Sequence, residues 1–370
     1  MLGLKIGATH GKARAGVLKT AHGRVETPFF MPVATKGSIK LISNEEAEKI
    51  GVECLISNSF ILSMKPGVEV IENAGGLHNF MGWKKGLFTD SGGFQVLSEK
   101  FCLKLTEEGV LFRNPFTGEK MMYAPEKAIE VQNLLGSDVA MCLDDVPRAG
   151  VKVKRLKESA ERTFEWAKRC RAAHSNKRQM LFGICQGGVH KKLREKSTEQ
   201  ITSIGFDGYA IGGLAIGEPM GKMVETVQHT IKLLPGEKAR YLMGLGSVKE
   251  MVKAISLGVD CFDSAFPTRT GRQGKVFTGT GHTNIDASCH RHDYGPLDEN
   301  CGCYVCKNHS RAYIHHLFKT KEENAKRYIA HHNLAFVQKI LKNIREDIRE
   351  GKFTEKRFME KLGKGKLDGR

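Results

Sequence analysis

Three short motifs each place an aspartate beside glycine, serine or proline, where a side chain can reach a ligand. Asp90 begins Asp-Ser-Gly-Gly, Asp144 lies in Leu-Asp-Asp-Val-Pro, and Asp263 lies in Phe-Asp-Ser-Ala-Phe-Pro. Taken singly, each aspartate could be the N-cap of a helix. Together, and without a neighbouring set of metal ligands, they favour covalent or acid–base chemistry at carbon, as in glycosyl transfer.

The glycines after Asp90 allow an alternative. Ser91, Gly92 and Gly93 could bind a phosphate through their backbone amides. The segment lacks, however, the Lys-Ser/Thr of a P-loop and the Gly-x-Gly-x-x-Gly of a dinucleotide site. Nucleotide hydrolysis and nicotinamide chemistry are therefore unsupported.

A second group of residues has the spacing of a metal site. Cys301, Cys303 and Cys306 form a C-x-C-x2-C cluster, and His332 follows within a His-His-Asn run. Three thiolates and one imidazole make a closed tetrahedral set, which predicts one structural Zn2+ per chain. The alternative is three reduced cysteines in a loop. Other histidines compete for the fourth position: His309, His315, His316 and His331.

These residues must be positioned by elements that alternate along the chain. Short apolar runs rich in β-branched and aromatic residues predict eight strands, at 29–34, 54–57, 86–89, 139–143, 181–185, 208–211, 240–243 and 259–262. Amphipathic stretches between them predict helices, at 45–50, 125–135, 156–174, 191–204, 222–234 and 248–256. Such alternation indicates a parallel α/β sheet, either a closed (β/α)8 TIM-like barrel or an open doubly wound sheet.

The residues that follow the strands favour the barrel. Most of these strands are followed by polar residues or glycines: Asn58, Asp90, Asp144, Gln186, Gly212, Gly213, Gly244 and Asp263. A barrel builds one active site from the carboxyl ends of several strands, whereas an open sheet places its ligand at a single switch point.

Two regions fall outside the alternation. Residues 100–123 carry Asn-Pro-Phe-Thr-Gly between apolar stretches and predict an inserted hairpin. After residue 279 the chain becomes rich in Cys and His and then forms basic amphipathic helices. We therefore expect a catalytic barrel over 1–279 and a zinc-binding, basic helical subdomain packed on it over 280–370.

The composition limits the partners. The chain has 58 Lys+Arg against 41 Asp+Glu, a net charge of +17, so a nucleic-acid backbone or an anionic membrane is the expected large partner. No apolar stretch approaches the roughly 18 residues of a membrane span, and the first residues lack a signal core. Seven of the ten cysteines are scattered singly, which does not suit a disulfide framework. These features predict a cytoplasmic protein.

Six segments together resemble the tRNA-guanine transglycosylase family, over essentially the whole chain and in the family's order. They are TDSGGFQV (89–96), FGICQGG (182–188), YAIGGLAIGE (209–218), YLMGLG (241–246), FDSAFPTRTGRQG (262–274) and CGCYVCKNHSRAYIHHL (301–317). The resemblance implies base exchange in tRNA: guanine at the anticodon wobble position is replaced by a 7-deazaguanine, on the route to queuosine.

The resemblance also implies roles for single residues. Asp263 is expected to attack the ribose C1′ as nucleophile, and Asp90 to act as general acid and then as general base. The remaining base-binding positions would be Ser91, Phe94, Asp144, Gln186, Gly213, Leu214, Glu218 and Met243. Among these, Asp144 would accept hydrogen bonds from the base, Gln186 and the Gly213 amide would donate to its carbonyl, and Phe94 and Met243 would sandwich the ring.

Recognition of a tRNA with a GUN anticodon would fall to Arg269 and Arg272, with basic residues from Lys319 onward holding the phosphates. The family further implies a homodimer and a zinc ion that takes no part in the chemistry. The incoming base is preQ1 or queuine: Phe94 and Val146 resemble the eukaryotic catalytic subunit, whereas Ile216 resembles the bacterial enzymes, and preQ1 is favoured.

Two other functions fit parts of the pattern. A barrel glycoside hydrolase also uses paired carboxylates, but it would need neither the net charge nor the cysteine cluster. A non-catalytic RNA-binding subunit would be expected to have a degraded nucleophile motif, whereas Asp90 and Asp263 both lie in full motifs.

Overall fold

A computed structural model describes residues 2–148 and 150–362. Its strands are β1 (Gly3–His10), β2 (Ala13–Thr20), β3 (Gly23–Thr27), β4 (Phe29–Pro32), β5 (Cys54–Asn58), β6 (Gly86–Asp90), β7 (Cys102–Leu105), β8 (Val110–Arg113), β9 (Lys120–Tyr123), β10 (Val139–Met141), β11 (Met180–Cys185), β12 (Gly208–Ile211), β13 (Ala239–Leu242), β14 (Cys261–Ser264), β15 (Lys275–Thr278) and β16 (Gly281–Asn284).

The α-helices are α1 (Asn44–Ile50), α2 (Ser59–Leu62), α3 (Val68–Asn73), α4 (Leu77–Met81), α5 (Gly93–Val96), α6 (Pro125–Leu135), α7 (Val153–Ala173), α8 (Lys191–Ile204), α9 (Met220–Ile231), α10 (Val248–Ser256), α11 (Phe266–Arg272), α12 (Tyr304–Asn308), α13 (Arg311–Lys319), α14 (Glu323–Arg349) and α15 (Glu355–Lys361). A π-helical turn spans Ser63–Gly67 and a 3-10 turn spans Ser288–His292.

Eight parallel strands form the predicted barrel. Their order is β4-β14-β13-β12-β11-β10-β6-β5, with every neighbouring pair parallel. A parallel bridge between Val33 and Ile56 joins the two ends, so the sheet closes on itself. The predicted barrel is confirmed, and the open doubly wound alternative is wrong.

The barrel strands are apolar because both of their faces are covered. Inward side chains form one core, in which the ring of Phe88 meets Phe182 and Tyr241 edge to face. Outward side chains form a second core against the surrounding helices. Burial on both faces explains why the strands read as continuous apolar runs without alternation.

An antiparallel sheet of β1, β2 and β3, which was not predicted from the sequence, precedes the barrel. Leu18 and Val25 of this sheet join the inward core, and Arg14 forms a buried ion pair with Asp260 just before β14. The sheet therefore lies at the amino end of the barrel strands. Its exposed positions and glycines hide the period-2 alternation that usually marks a strand.

The insertion after β6 is also an antiparallel sheet, with three strands, β7, β8 and β9, where a hairpin was predicted. Its buried rings Phe112 and Tyr123 pack against Phe60 of α2. The Tyr123 hydroxyl donates to the Ser91 carbonyl at 2.9 Å. The insertion thus supports the loop that follows Asp90.

Helix α14, 27 residues long, ties the C-terminal region to the barrel. It passes α11 so closely that a Cβ on Gly271 would lie 2.9 Å from the Ala330 backbone. At its far end Arg345 donates to the Pro28 carbonyl at 2.9 Å. The boundary at residue 279 stays a prediction, and residues 363–370 of the predicted subdomain lie outside the described residues. Within the described chain, no helix combines the length and apolar character needed to cross a bilayer.

Candidate active site

The three aspartates predicted from their motifs lie at the carboxyl ends of three barrel strands. Asp90 is the last residue of β6, Asp144 follows β10 by three residues, and Asp263 lies in β14. The loop after Asp90 packs directly on Asp144, because a Cβ on Gly93 would lie 2.8 Å from the Asp144 carbonyl and carboxylate oxygens. Only glycine permits this approach.

The Asp90 carboxylate is held by two kinds of donor. The Asn58 amide donates to its two oxygens at 2.9 and 3.2 Å, and the Gly92 N–H donates to Oδ1 at 2.7 Å. Burial raises the pKa of Asp90 to about 7; the charges of Asp263 and Asp144 also raise it, against these hydrogen bonds. A carboxyl with a pKa near neutrality can both give and take a proton.

The Asp263 carboxylate is anchored through one oxygen. Tyr241 Oη donates to Oδ1 at 2.6 Å and the Gly244 N–H donates to the same atom at 2.7 Å. No donor among the described residues contacts Oδ2. Burial raises the pKa of Asp263, and the bonds from Gly244 and Tyr241 oppose that rise. The carboxylate is thus oriented with one oxygen available to a ligand.

Asp144 is buried, and its Oδ2 accepts the Gln186 Nε2–H at 2.6 Å. Burial raises the pKa of Asp144 to about 7, and the nearby charge of Asp145 adds to that rise. The Gln186 amide has a second N–H, and its buried Oε1 has no partner in the described chain. A flat ligand with both donors and acceptors would satisfy this pair.

The loop after β12 brings backbone amides to the same place. Gly213 has φ of 66°, which favours glycine, and a Cβ there would lie 2.4 Å from Gln186 Oε1. Leu214 is buried, and the Glu218 carboxylate accepts the N–H groups of Ala215 and Ile216 at 2.6 and 3.2 Å. Glu218 therefore shapes this loop in the free protein.

A cleft of about 600 Å³ opens beside Asp263, since its chain neighbour Ser264 and its hydrogen-bond donor Gly244 line that cleft. Its walls include Phe94, which is 59% exposed, Ile216, Gly244 and Arg269. Met243, predicted to face Phe94 across the base, directly precedes Gly244 after β13. The cleft has room for a base and part of a nucleotide.

The two predicted tRNA-binding arginines lie on α11, directly after Asp263. Arg269 is exposed and lines the cleft. Arg272 is partly buried, and its Nη1 has no hydrogen-bond partner in the described chain. Burial lowers the pKa of Arg272, and the charge of Arg269 lowers it further. Two neighbouring cations suit an anionic ligand.

The predicted metal ligands come together away from the cleft. One ligand atom from each of Cys301, Cys303, Cys306 and His332 lies within 4.8 Å of the others. His332 Nδ1 lies 3.2 Å from the Cys306 sulfur, while its Nε2 lies 2.7 Å from the Phe277 carbonyl. That carbonyl can accept the Nε2–H and leave Nδ1 available to a metal ion, as the hydrogen-bond partners of metal-ligating histidines do.

The geometry therefore selects His332 among the competing histidines. His315 instead places Nδ1 2.7 Å from the Ile285 carbonyl, and the ring of His309 packs on Tyr328. The donor set suits a closed tetrahedral site, which favours structural Zn2+. These positions support a metal site.

Two residues that hold the carboxylates were given no individual role from the sequence, where Asn58 was named only as a polar residue after a strand. Asn58 ends β5 directly opposite Asp90 in the strand register, and its Oδ1 is fixed by the Ile61 N–H at 2.8 Å, so its amide group must face Asp90. Tyr241 is fully buried within β13. The available signals were a polar residue at a neighbouring strand end and a tyrosine in an apolar strand.

Comparisons with known proteins match nearly the whole chain, including the site residues described above. A family model described as queuine tRNA-ribosyltransferase matches residues 9–363. The chain is similar to a protein of that name from Thermotoga petrophila, with 48% identity over 94% of both chains. It is also similar to one from Caldanaerobacter subterraneus, with 46% identity over 93% of this chain and 92% of the relative. The protein of that name in Francisella tularensis subsp. novicida is 46% identical over 93% of this chain and 94% of its own. The resemblance inferred from the six motifs is confirmed, and the chain belongs to the queuine tRNA-ribosyltransferase family, the tRNA-guanine transglycosylases.

Proposed function

We propose that this enzyme exchanges guanine at the wobble position of a tRNA anticodon for a 7-deazaguanine, through an ester between Asp263 and the ribose. The observation that carries the proposal is the anchoring of Asp263 through Oδ1 alone, by Tyr241 and Gly244, beside the cleft. A nucleophile must present one oxygen in a fixed direction, and Oδ2 is so presented.

In the first half-reaction, Asp263 Oδ2 bonds to C1′ as the bond from C1′ to the guanine nitrogen breaks, and its electron pair stays with the base. Asp90 donates a proton to the departing guanine. In the second half, Asp90 removes a proton from the incoming base, which attacks C1′ and releases Asp263. A pKa of about 7 lets Asp90 serve in both directions at neutral pH.

Base recognition would rest on the residues around Asp144. Its carboxylate would accept the ring N–H and exocyclic amine, while the second N–H of Gln186 and the Gly213 amide donate to the base carbonyl. Phe94 and Met243 would stack on the two faces of the ring. Ser91, Leu214 and Glu218 would complete the pocket by shaping its two loops.

We favour preQ1 over queuine as the incoming base. Ile216 lines the cleft with a bulky side chain, which limits the space for a large substituent on the base. Phe94 and Val146 instead resemble the eukaryotic catalytic subunit, which accepts queuine. Competition of the two bases with labelled guanine would distinguish them, and equal or stronger binding of queuine would contradict the preference.

The polynucleotide would be a tRNA with a GUN anticodon. Arg269 and Arg272 are suited to read the nucleotides beside the extruded guanosine, because they follow the nucleophile on α11. The basic face of the C-terminal helices would bind phosphates. An enzyme with this substrate would work in the cytoplasm.

We infer that the C-terminal cysteine cluster holds one Zn2+ as a structural ion. Cys301, Cys303, Cys306 and His332 fit it by donor type and by the tautomer that Phe277 imposes. A homodimer is also expected, since Tyr304 and Tyr313 beside this cluster are exposed, and exposed aromatic patches mark protein interfaces. Sedimentation of the purified chain tests the dimer.

The covalent intermediate gives the decisive test. Asp263→Asn should abolish a tRNA adduct trapped with a guanine analogue on a denaturing gel, while tRNA binding stays close to wild type. Asp286→Asn, which neutralises an exposed aspartate, is the matched control and should form the adduct normally. An adduct that persists in Asp263→Asn would contradict the assignment. Wild-type protein that binds tRNA without exchanging guanine would favour the non-catalytic subunit.

A further inference from the structure

Arg194 of α8 is a fully buried arginine that binds only backbone carbonyls. Its Nη1 donates to Cys185 O at 2.7 Å and to Gly212 O at 3.0 Å, and its Nη2 and Nε donate to Gly188 O at 2.6 and 3.2 Å. No acid in the described part of the chain forms an ion pair with it. The guanidinium therefore lies behind the carboxyl ends of β11 and β12, beneath the proposed base pocket.

The charge of Glu218 acts on Arg194, but no acid in the described part of the chain forms an ion pair with it, and burying an unpaired cation is costly. Burial lowers the pKa of Arg194 to about 10, which still leaves it charged at neutral pH. The loop after β11 also packs tightly on the start of α8. A Cβ on Gly187, which has φ of 119°, would lie 2.9 Å from the backbone nitrogen of Arg194.

The Gly212 carbonyl and the Gly213 N–H belong to the same peptide group. A charged donor on the carbonyl oxygen draws electron density from the amide and makes its N–H a stronger donor. The Gly213 N–H is the group that the proposed function directs at the carbonyl oxygen of the base. As the bond to C1′ breaks, the base gains negative charge, part of which falls on that oxygen.

We propose that Arg194 is a positioning residue that acts through the 212–213 peptide, so that the Gly213 N–H stabilises the charge developing on the base carbonyl. This inference rests on the proposed function, in which Gly213 contacts that carbonyl. Preorganised donors aimed at developing charge are the usual source of large rate effects, and losing one such donor slows turnover by about 100-fold or more. Weakening a donor that remains in place should cost less, on the order of tenfold.

The test compares two bases that differ at the acceptor atom. Guanine and 6-thioguanine share the ring N–H and the exocyclic amine, but the thiocarbonyl is a weaker hydrogen-bond acceptor. Wild-type enzyme should prefer guanine in kcat/KM. Arg194→Gln should reduce that preference by on the order of tenfold, mainly through kcat, because the charge appears in the transition state.

The control separates this effect from loss of stability. Arg345→Gln also removes a buried guanidinium that binds a backbone carbonyl, but at Pro28, just before β4 and at the amino end of the barrel. Arg345→Gln should lower thermal stability and leave the preference for guanine unchanged. A merely structural role for Arg194 would make the two variants alike.

Each outcome decides between the two proposals. If wild-type enzyme does not prefer guanine, the proposed contact with the base carbonyl is wrong. If wild type prefers guanine and Arg194→Gln keeps the full preference, the role of Arg194 is refuted while that contact stands. Should Arg194→Gln fail to fold, Arg194→Lys replaces it: one ammonium cannot span Cys185 and Gly212 as the guanidinium does, so an intermediate preference supports the role and a full one refutes it.

Discussion

Replacing Asp144 with asparagine should make the free protein more stable at alkaline pH while it removes base recognition. The carboxyl is buried and receives one side-chain hydrogen bond, from Gln186. Its pKa, raised to about 7 chiefly by burial, shows that the fold disfavours the charged form. An asparagine has nearly the same shape, can still accept the Gln186 bond, and cannot ionise.

The size of the effect follows from the difference between the folded and unfolded pKa values. The folded protein binds the proton of Asp144 more tightly than the unfolded chain, whose pKa is the usual 3.8. The free energy of unfolding therefore falls as the pH rises from about 4 to about 7. At 1.36 kcal/mol per pKa unit, the full loss is about 4 kcal/mol, of which about 2 to 3 kcal/mol develops between pH 5 and pH 8.

Urea unfolding at pH 5 and pH 8, followed by far-UV circular dichroism, measures this directly. The Asp144→Asn variant should exceed wild type in stability at pH 8, and its advantage should shrink by about 2 to 3 kcal/mol at pH 5. Asp286→Asn, at an exposed site, should show no such change. An Asp144→Asn advantage that is equal at both pH values, or absent at pH 8, would refute the burial argument.

Three further changes test other parts of the site. Asn58→Ala removes the amide that donates to both oxygens of Asp90, so the pKa of Asp90 should rise above about 7. The limb of the kcat–pH profile that reports Asp90 should then move to higher pH. An unmoved limb would contradict the role of Asn58. Chelation or Cys303→Ala should release about one zinc per chain, lower thermal stability and weaken tRNA binding. An unfolding temperature that stays the same without metal would exclude a structural ion. Arg269→Ala should lose on the order of 1–3 kcal/mol of discrimination against an anticodon loop with a substituted flanking uridine. Lys342→Ala should weaken binding to all anticodon loops alike and make the salt dependence of binding shallower. Equal losses of affinity for both loops in Arg269→Ala would show that Arg269 only holds phosphate.

The barrel was predictable because its strands are buried on both faces. Every predicted strand overlaps an observed one, and helices α6, α8 and α10 have the predicted bounds. The N-terminal sheet was missed since only part of β1 to β3 is buried, so no clear apolar period shows. The third strand of the insertion, Lys120–Tyr123, was missed for a similar reason: three of its four residues are exposed.

The candidate site divides in the same way. Each aspartate can be recognised within one short motif, and the cysteine spacing limits the metal site to a few histidines. Asn58 and Tyr241 donate to carboxylates on neighbouring strands, and Arg194 donates to the Gly212 carbonyl, so these contacts depend on strand register and helix placement. No pattern within a single segment predicts that Asn58 lies opposite Asp90 or that Arg194 contacts Gly212.

The three carboxylates show how one environment can support different roles. Burial raises the pKa of each, so burial does not distinguish them. Their donors do. Asp263 receives both of its bonds on one oxygen, which orients the other for attack, whereas Asp90 receives bonds on both oxygens and has a pKa near neutrality, which suits proton exchange. Asp144 is bonded to a side-chain amide that can share its hydrogens with a ligand. The proposed assignment of nucleophile, acid–base group and base receptor therefore rests on the donors that each strand end supplies.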